Sequence, residues 1–381
     1  MSRELKKILF ISHDATLTGA PLLLLRLMDC LRSAGYVCDR IIIKNDFGIS
    51  TTAFSAKATL LFFNDMPTAG SAIPINRLRR FLLRRIRNKK ERKIQQWIDE
   101  ADVIFSNTIT NGDFLAAFNF NNNQLLISYI HELKMATSFF TNETDIDVVL
   151  NKTNIFCVPS NAVSCFLNET FNVPLEKIKR LNYFIPPFYN SDATINSTDT
   201  AWFTVGLIGT LDWRKGAELL PLIIDRLNKR YPNQLIHFRW KGVQKKTVEF
   251  ERMQYELTNM NFQHKVTFEE ASPEVWEFYS SINLLLLCSK EDPYPLVVLE
   301  AAAFKKPCIC FENAGGAPEF IQKDAGTVVP FMDIDAVCNA IFDYSVNKQK
   351  CIYHGLNAFA RYQELHSNAT LIVNQFKEIA G

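Results

Sequence analysis

The sequence lacks the marks of several classes of protein. Lys and Arg number 42 against 40 Asp and Glu, so the net charge is only +2, and a chain-wide nucleic-acid-binding surface is not expected. The longest apolar runs are too short to cross a bilayer. The charged start MSRELKK has neither the apolar core nor the cleavage site of a signal peptide. We therefore expect a cytoplasmic protein.

Sequence signatures of metal-binding and dinucleotide-binding sites are also missing. Nine cysteines, an odd number, are scattered without zinc-site spacing, which favours reduced thiols in a reducing compartment. The first strand–helix turn, HDATLTGAP, is not a Gly-x-Gly-x-x-Gly fingerprint. Two Asp-x-Asp sequences, at 145–147 and 333–335, each precede an apolar helical stretch, so helix capping explains them better than metal binding. We predict no cofactor and no metal.

The chain does have ample core material, with 48% hydrophobic and 22% charged residues. Short apolar strands alternate with helical stretches from 7–12 to 154–160, and the series restarts at 202–209 after a polar connector at 190–200. Strands that are apolar on both faces and alternate with helices indicate parallel sheets covered on both sides. The pattern predicts two doubly wound α/β domains facing across a cleft that holds the active site.

The segment SKEDPYPLVVLEA is the most informative stretch. A buried strand is expected to end before it, and Pro295 is well placed as the first residue of a helix. The backbone N–H groups of Leu296 and Val297 would then point outward and could bind a diphosphate. Because carboxylates repel phosphate, Asp292 and Glu300 are better suited to accept hydrogen bonds from sugar or ribose hydroxyls. A capped core helix with one buried Glu is the alternative reading.

Three other strand ends carry weaker signals. In GLIGTLDWRKG, Arg214 and Lys215 lie between a strand and a helix, where a cation can neutralise a diphosphate. In the first strand–helix turn, Gly19 would allow close backbone approach to a ligand. His131 follows the strand LLISYI directly; a lone His is more often structural, but the mouth of a parallel strand favours a functional role.

Residues 77–93 hold ten Arg or Lys against one Glu, with apolar residues at roughly helical spacing. One reading is a solvated surface helix. The other is docking onto an anionic membrane surface or an acidic acceptor. A nucleic-acid interface is a weaker alternative, because no recognised nucleic-acid module accompanies the segment, and we predict no nucleic-acid partner. The candidate patch residues are Arg79, Arg80, Arg84, Arg85 and Arg87.

Together these motifs resemble the retaining GT-B glycosyltransferases of family four. Asp292-x7-Glu300 with PLVVLEA resembles the family's E-x7-E region, and GTLDWRKG, the first-turn glycine, the strand-end histidine and GGAPE at 315–319 fit as well. The resemblance implies a GT-B fold of two Rossmann-like domains. It implies an acceptor-side domain at 1–187 plus a returning helix at 358–381, and a nucleotide-sugar domain at 188–357.

The resemblance also implies roles for single residues in the second domain. Glu300 would bind the ribose of the donor, and Asp292 would contact hydroxyls of its sugar. The backbone after Pro295 would meet the diphosphate and sugar, and Lys215 would grip the diphosphate. In the first domain, His131 would approach the donor sugar and the backbone at Gly19 would lie behind the diphosphate.

The expected reaction moves a hexosyl group from a nucleotide diphosphate sugar to an acceptor hydroxyl, with retention at the anomeric carbon and without a metal. A saccharide or lipid-linked acceptor in surface polysaccharide or glycolipid assembly fits a cytoplasmic protein on the inner face of a membrane. Two departures stand out: Asp292 replaces the usual Glu, and Thr210 replaces the usual Arg. We expect Arg214 to compensate. A non-catalytic GT-B partner protein and a GT-B sugar-nucleotide epimerase are the alternatives.

Overall fold

Two compact units make up the chain in the computed structural model. The first contains Met1–Pro159, Val163–Phe184 and Ala369–Gly381, and the second contains Ser160–Ala162 and Ile185–Asn368. The structure describes residues 6–16, 19–45, 51–64, 77–187, 202–272 and 274–381, and for 77–87 the backbone alone.

The first unit is built on a sheet whose described strands are all parallel, in the order β3-β2-β1-β4-β5-β6-β7. Ile41, Ile42 and Ile43 of the second strand are all fully buried, as expected for a strand covered by helices on both faces. The order reverses between β1 and β4. The strands are β1 (Lys7–Ser12), β2 (Val37–Asn45), β3 (Thr59–Asn64), β4 (Val103–Ser106), β5 (Leu125–Tyr129), β6 (Ile155–Val158) and β7 (Ile178–Arg180).

Helices connect these strands and cover the sheet. The core on one face includes Trp97, Ile98, Phe114 and Val149, each at most 6% exposed. The helices are α1 (Gly19–Ser33), α2 (Thr51–Ser55), α3 (Arg77–Asp99), α4 (Gly112–Ala117), α5 (Lys134–Phe140), α6 (Glu143–Lys152) and α7 (Asn161–Phe171, from Val163 on).

The second unit repeats the design on a smaller parallel sheet, in the order β10-β9-β8-β11-β12-β13 for the described residues. The order reverses between β8 and β11, which pair through Leu284 with Val205 and Leu285 with Gly206. The strands are β8 (Phe203–Ile208), β9 (Ile236–Lys241), β10 (Val266–Glu269), β11 (Leu284–Leu287), β12 (Cys308–Phe311) and β13 (Gly326–Val329).

The helices of this unit pack against a core centred on Phe238, Trp240, Phe311 and Tyr344, each at most 1% exposed. They are α8 (Leu219–Arg230), α9 (Val248–Asn259), α10 (Trp276–Ser281), α11 (Leu296–Ala303), α12 (Ala317–Ile321), α13 (Ile334–Val346) and α14 (Lys348–Leu365). A last helix, α15 (Ala369–Ala380), belongs to the first unit and packs on α1.

The unit boundaries differ from the sequence prediction in two places. The chain enters the second unit at Ile185 rather than at 188, and it returns to the first unit at Ala369 rather than at 358. The second difference arises because α14 is one continuous helix from Lys348 to Leu365 that packs on α11 of the second unit. The polar connector 190–200 lies outside the described residues.

All nine cysteines are free thiols, and seven of them are buried. Burial raises the pKa of Cys288 to about 12, so this thiol stays protonated at neutral pH. Among the described residues, no helix combines the length and apolar character needed to cross a membrane.

Candidate active site

The loop after β8 places Lys215 at the carboxyl edge of the second sheet. The Asp212 side chain accepts a hydrogen bond from the backbone N–H of Lys215 at 3.0 Å and thereby starts a short 3₁₀ turn. Gly216 ends this turn in the left-handed region with φ 68°, and a Cβ there would lie 2.2 Å from the carbonyl oxygen of Cys288. Glycine is therefore required where the loop crosses the end of β11.

Lys215 forms an ion pair with Asp292 across the point where the strand order reverses. The distance from Lys215 Nζ to Asp292 Oδ2 is 2.7 Å, and the side chains are 17% and 11% exposed. Lys215 follows β8 and Asp292 follows β11, the two strands on either side of the reversal. In doubly wound sheets this is where ligands bind. The structure thus brings together two residues that the sequence predicted separately.

A glycine turn from the next strand connection holds Asp292 in place. The N–H of Asp292 donates to the carbonyl of Ala314 at 2.7 Å, and the N–H of Gly316 donates to the carbonyl of Asp292 at 3.1 Å. Gly315 has φ 123°, and a Cβ there would lie 1.8 Å from the Asp292 carbonyl oxygen. The sequence motif GGAPE is explained by this close approach.

Helix α11 begins beside Asp292. Pro295 is the N-cap, with φ −69° and ψ 118°, and the helix starts at Leu296, one residue later than predicted. The extended ψ places Pro295 outside the helix, although its ring fixes φ at a helical value. The first N–H groups of an α-helix have no partner within the helix, so those of Leu296 and Val297 remain candidates for binding an anion.

Glu300 lies one turn into α11 and is only 8% exposed. Its Oε2 accepts a hydrogen bond from the buried hydroxyl of Tyr279 at 2.9 Å. Tyr279 belongs to α10, and its ring also stacks on that of Phe304 just after α11, with 5.5 Å between the ring centroids. Its orienting role was not predicted from the sequence. A buried carboxylate that is already oriented is suited to recognise a ribose hydroxyl.

Thr210, which replaces the usual Arg, and Arg214, which is expected to compensate for it, both have hydrogen-bond partners within the second unit. The hydroxyl of Thr210 donates to the Asp212 carboxylate, so Thr210 helps to shape the loop. Arg214 Nη1 donates to the carbonyl of Glu291 at 3.3 Å, and the Arg214 carbonyl accepts from the N–H of Lys290 at 2.8 Å. The Arg214 guanidinium therefore lies one residue from Asp292. Its compensation for the missing Arg stays a prediction.

In the first unit, His131 is held by two side chains that sequence reasoning missed. His131 Nδ1 lies 2.9 Å from the Tyr183 hydroxyl, and Nε2 lies 3.0 Å from Asn107 Oδ1. The Asn107 amide nitrogen donates to the carbonyl of Ala20 at 2.8 Å, so its oxygen faces His131. Nε2 must then carry the proton, and Nδ1 accepts from Tyr183.

Burial, with a smaller contribution from the charge of His13, lowers the pKa of His131 to about 3. The imidazole is therefore neutral at physiological pH. Asn107 also ties His131 to the first turn of α1, because that turn contains Gly19 as its first residue and Ala20 next to it. The predicted His131 and Gly19 are thus linked within the first unit.

The residue after His131 is a buried carboxylate. Glu132 is 8% exposed and accepts hydrogen bonds from the Thr108 hydroxyl, from the N–H of Ile109 at 3.3 Å and from the N–H of His131 at 2.9 Å. Burial raises the pKa of Glu132, and these hydrogen bonds partly oppose the rise. Two of these partners, Thr108 and Ile109, lie in the loop after β4, so Glu132 joins that loop to the one that presents His131.

The basic segment forms the first part of α3, as predicted for a helix. Its candidate arginines, Arg79, Arg80, Arg84, Arg85 and Arg87, lie in this helix, but their side chains are outside the described part of the structure. The docking role of these side chains stays a prediction.

Helix capping accounts for one of the two Asp-x-Asp sequences, the one at 333–335. The Asp333 side chain accepts from the N–H of Ala336 at 2.9 Å and caps α13, while Asp335 pairs with Arg226 at 3.0 Å. In the other sequence, Asn142 is the cap of α6: its side chain accepts from the N–H of Asp145 at 2.9 Å. The predicted capping role is confirmed for Asp333. For the sequence at 145–147 the cap is Asn142, three residues before Asp145.

The two parallel sheets define a class of protein, a two-unit Rossmann-like α/β protein with a candidate anion site at the reversal point of its second sheet. Residues 195–362 match the family model described as glycosyl transferases group 1. No curated protein sequence matches the chain significantly.

Solved structures match over the whole length and show the GT-B fold. HepE of Anabaena, crystallised with UDP and glucose, has a TM-score of 0.76 at 17% identity over 98% of both chains. Sucrose-phosphate synthase from Thermosynechococcus elongatus has a TM-score of 0.73 at 19% identity over 98% of both chains. A mutant of TarM from S. aureus, in complex with fondaparinux, alpha-GlcNAc-glycerol and UDP, has a TM-score of 0.76 at 12% identity over 99% of this chain and 100% of that one.

Proposed function

We propose that the chain is a retaining glycosyltransferase that moves a hexosyl group from a nucleotide diphosphate sugar to an acceptor hydroxyl. The observation that carries the proposal is the Lys215–Asp292 ion pair, 2.7 Å long, at the reversal point of a sheet whose sequence matches a glycosyltransferase family model. UDP-sugars are the first donors to consider, because HepE was crystallised with UDP and with UDP-glucose.

In the proposed complex the donor lies across the carboxyl edge of β8 and β11. Lys215 and the N–H groups of Leu296 and Val297 bind the diphosphate, and Glu300 binds the ribose. Lys215 holds Asp292 before the donor arrives. A diphosphate draws the ammonium toward itself, since it carries more negative charge than one carboxylate, and Asp292 is then released to accept hydrogen bonds from the sugar.

The chemical step breaks the bond between sugar C1 and the leaving phosphate oxygen and forms a bond from C1 to the acceptor oxygen on the same face. The acceptor proton passes to the departing phosphate oxygen. Negative charge that develops on the diphosphate is stabilised by Lys215 and the start of α11. Lys215 and the start of α11 would neutralise the diphosphate as a metal cation otherwise could, so we propose a metal-independent reaction. Arg214 is proposed as a second positive group at the diphosphate.

His131 and Gly19 enter the proposal through the family resemblance. A neutral imidazole with its proton on Nε2 can exchange hydrogen bonds with hydroxyls without adding charge near the diphosphate. Because glycine has no side chain, a phosphate of the donor can come close to the backbone at Gly19. We further propose a cytoplasmic protein with a saccharide or lipid-linked acceptor in surface polysaccharide or glycolipid assembly.

A thermal-shift panel of UDP-, GDP-, ADP- and dTDP-sugars, with NAD as control, tests donor binding directly. A donor at about 100 times its dissociation constant stabilises the native state by roughly 2.7 kcal/mol. We expect one sugar nucleotide to shift the melting temperature, equally with and without chelator. Glu300→Gln, which keeps an acceptor for Tyr279, should lose the shift, as should Lys215→Met. Glu251→Ala, an exposed glutamate of α9, is the matched control.

The competing functions give different results in the same assay. A non-catalytic partner protein should show no shift with any sugar nucleotide. An epimerase should bind the donor and convert its sugar without an acceptor, which nuclear magnetic resonance of the nucleotide sugar would reveal. A shift that disappears with chelator would contradict metal independence.

A further inference from the structure

Helix α5 ends in two exposed phenylalanines. Phe139 is 69% exposed and Phe140 is 71% exposed. A large aromatic side chain contributes 150–250 Å² when it is covered, so two adjacent rings in water form a concentrated apolar tip. A single exposed apolar residue is ordinary, whereas two large aromatic residues exposed in succession at one helix end indicate a contact surface.

The tip projects from a fixed helix rather than from a loose segment. Leu133, just before α5, is 8% exposed and belongs to the core. Thr137 is 4% exposed, and its hydroxyl lies 2.8 Å from the carbonyl of Lys134. After the helix, Asn142 caps α6, which packs on α4. The exposure of the two rings is therefore a property of the folded unit.

The tip lies at the carboxyl edge of the first sheet. Helix α5 starts three residues after His131, which follows β5 at that edge. The apolar tip and the proposed acceptor-side residue His131 thus belong to the same strand connection.

The basic part of α3 lies toward the same edge. Because β3 and β4 are parallel, the helix between them runs from the carboxyl edge to the amino edge. Helix α3 has 23 residues, about 35 Å in length, whereas β4 has 4 residues. Among the residues of α3 whose side chains the structure describes, from 88 on, the buried ones are Ile94, Trp97 and Ile98 near its C-terminal end. Residues 77–93, with ten Arg or Lys, therefore extend toward the carboxyl edge.

We propose that the carboxyl edge of the first unit is a membrane-docking surface, in which Phe139 and Phe140 insert into an anionic bilayer and the basic part of α3 lies at the headgroups. Stable peripheral binding takes two signals, an apolar insertion and a positive charge, and this edge supplies both. The inference rests on the proposed function in one respect: docking beside His131 selects an acceptor carried on a lipid.

A membrane fits the tip better than a protein partner does. A stable protein interface covers about 800 Å² on each partner, far more than two rings provide. In the described part of the first unit, the other strongly exposed large apolar residue is Leu175, 62% exposed. Leu175 lies in a turn just before β7, at the amino edge, so it does not extend the tip.

Co-sedimentation of the full chain with vesicles tests this inference. We expect binding to phosphatidylcholine vesicles that contain phosphatidylglycerol, and weak binding to phosphatidylcholine alone. The double variant Phe139→Ser and Phe140→Ser should reduce binding by at least about tenfold. Leu175→Ser, an equally exposed residue at the opposite edge, should leave binding unchanged. In a second measurement, Phe140→Trp should be quenched by brominated lipid, and Leu175→Trp should not.

Several outcomes would overturn the inference. These are absence of wild-type binding to the anionic vesicles, equal binding by the double variant, or equal quenching of the two tryptophan variants. If sedimentation velocity shows that the double variant dissociates an oligomer instead, the tip is a protein interface. The sugar-nucleotide thermal shift, measured on the same preparations, reports the proposed function separately, because it depends on Lys215 and Glu300 of the second unit and not on the two phenylalanines.

Discussion

His131 is held as a neutral hydrogen-bonding group. Its Nε2 proton is fixed by Asn107, and its Nδ1 lone pair is used by Tyr183. Protonation would require Nδ1 to give up its role as acceptor, and the buried site would have to hold an uncompensated charge. The pKa of about 3 follows from this burial and from the nearby His13.

This pKa predicts an acid-sensitive native state. His has an ordinary pKa of about 6.5, so between about pH 6.5 and 3 the unfolded chain binds a proton at this position that the native chain does not. Stability should therefore fall as pH drops through this window, by at most about 1.4 kcal/mol per pH unit from this group. His131→Gln should have a lower melting temperature at pH 7 but a smaller further loss at pH 4.5.

The exposed His264 provides the control for that series. His264→Gln should reproduce the wild-type change in melting temperature between pH 7 and pH 4.5. If His131→Gln follows the same pH curve as the wild type, then His131 is not the group that makes the native state acid-sensitive.

Site residues also differ in how readily the sequence alone identifies them. Lys215, Asp292 and Glu300 stand in motifs whose spacing places them at strand ends and helix starts. Asn107 and Tyr183 stand in no such motif, and they lie 24 and 52 residues from His131, respectively, along the chain. The rule that polar residues after parallel strands gather at one edge would have found Asn107, because it directly follows β4.

At the scale of elements, the turn after β12 positions the loop after β11. Backbone hydrogen bonds and an isolated parallel bridge join Asp292 to the 314–316 turn. These contacts with the 314–316 turn fix the backbone of Asp292 in the position from which its side chain reaches Lys215. Two successive glycines permit the contact, since a Cβ at Gly316 would also lie 2.4 Å from the carbonyl oxygen of Pro293.

Substitution of Gly315 should therefore disturb both stability and donor binding. In Gly315→Ala the backbone conformation alone costs about 1–3 kcal/mol, and the new Cβ must push Asp292 away. Urea unfolding should show the destabilisation, and the sugar-nucleotide thermal shift should be lost. Asn313→Gly, at a left-handed position with φ 56° in the same turn, should change stability by no more than about 1 kcal/mol. Retention of full donor binding by Gly315→Ala would contradict this account.

At the scale of the whole molecule, the chain leaves its first unit and returns to it. Helix α15 packs on α1, and Phe376 is fully buried, with its ring 5.6 Å from that of Tyr36 and 6.1 Å from that of Phe105. Phe376 lies 340 positions from Tyr36 and 271 positions from Phe105 along the chain, so distant residues complete the core of the first unit. The stability of that unit depends on the last helix of the chain.

Removal of the Phe376 ring should destabilise the first unit. Phe376→Ala is expected to cost about 3–5 kcal/mol because it leaves a cavity in the core. Hydrogen exchange resolved by peptide should become faster in β1, β4 and α1, while the second unit keeps its protection and its donor binding. Tyr353→Ala, an exposed aromatic of α14 that is 58% exposed, should leave exchange unchanged. Equal protection of the first unit in Phe376→Ala would contradict the role of α15.

The sequence by itself determined the class of fold, the parallel character of both sheets and the strand ends that carry candidate site residues. Those features depend on hydrophobic periodicity and on turn chemistry, which act between neighbours along the chain. Tertiary structure alone decided the Lys215–Asp292 pair, the partners of His131 and the point at which α15 returns. Each of these depends on contacts between residues 24 to more than 300 positions apart, and local pattern carries no information about which distant side chain completes such a contact.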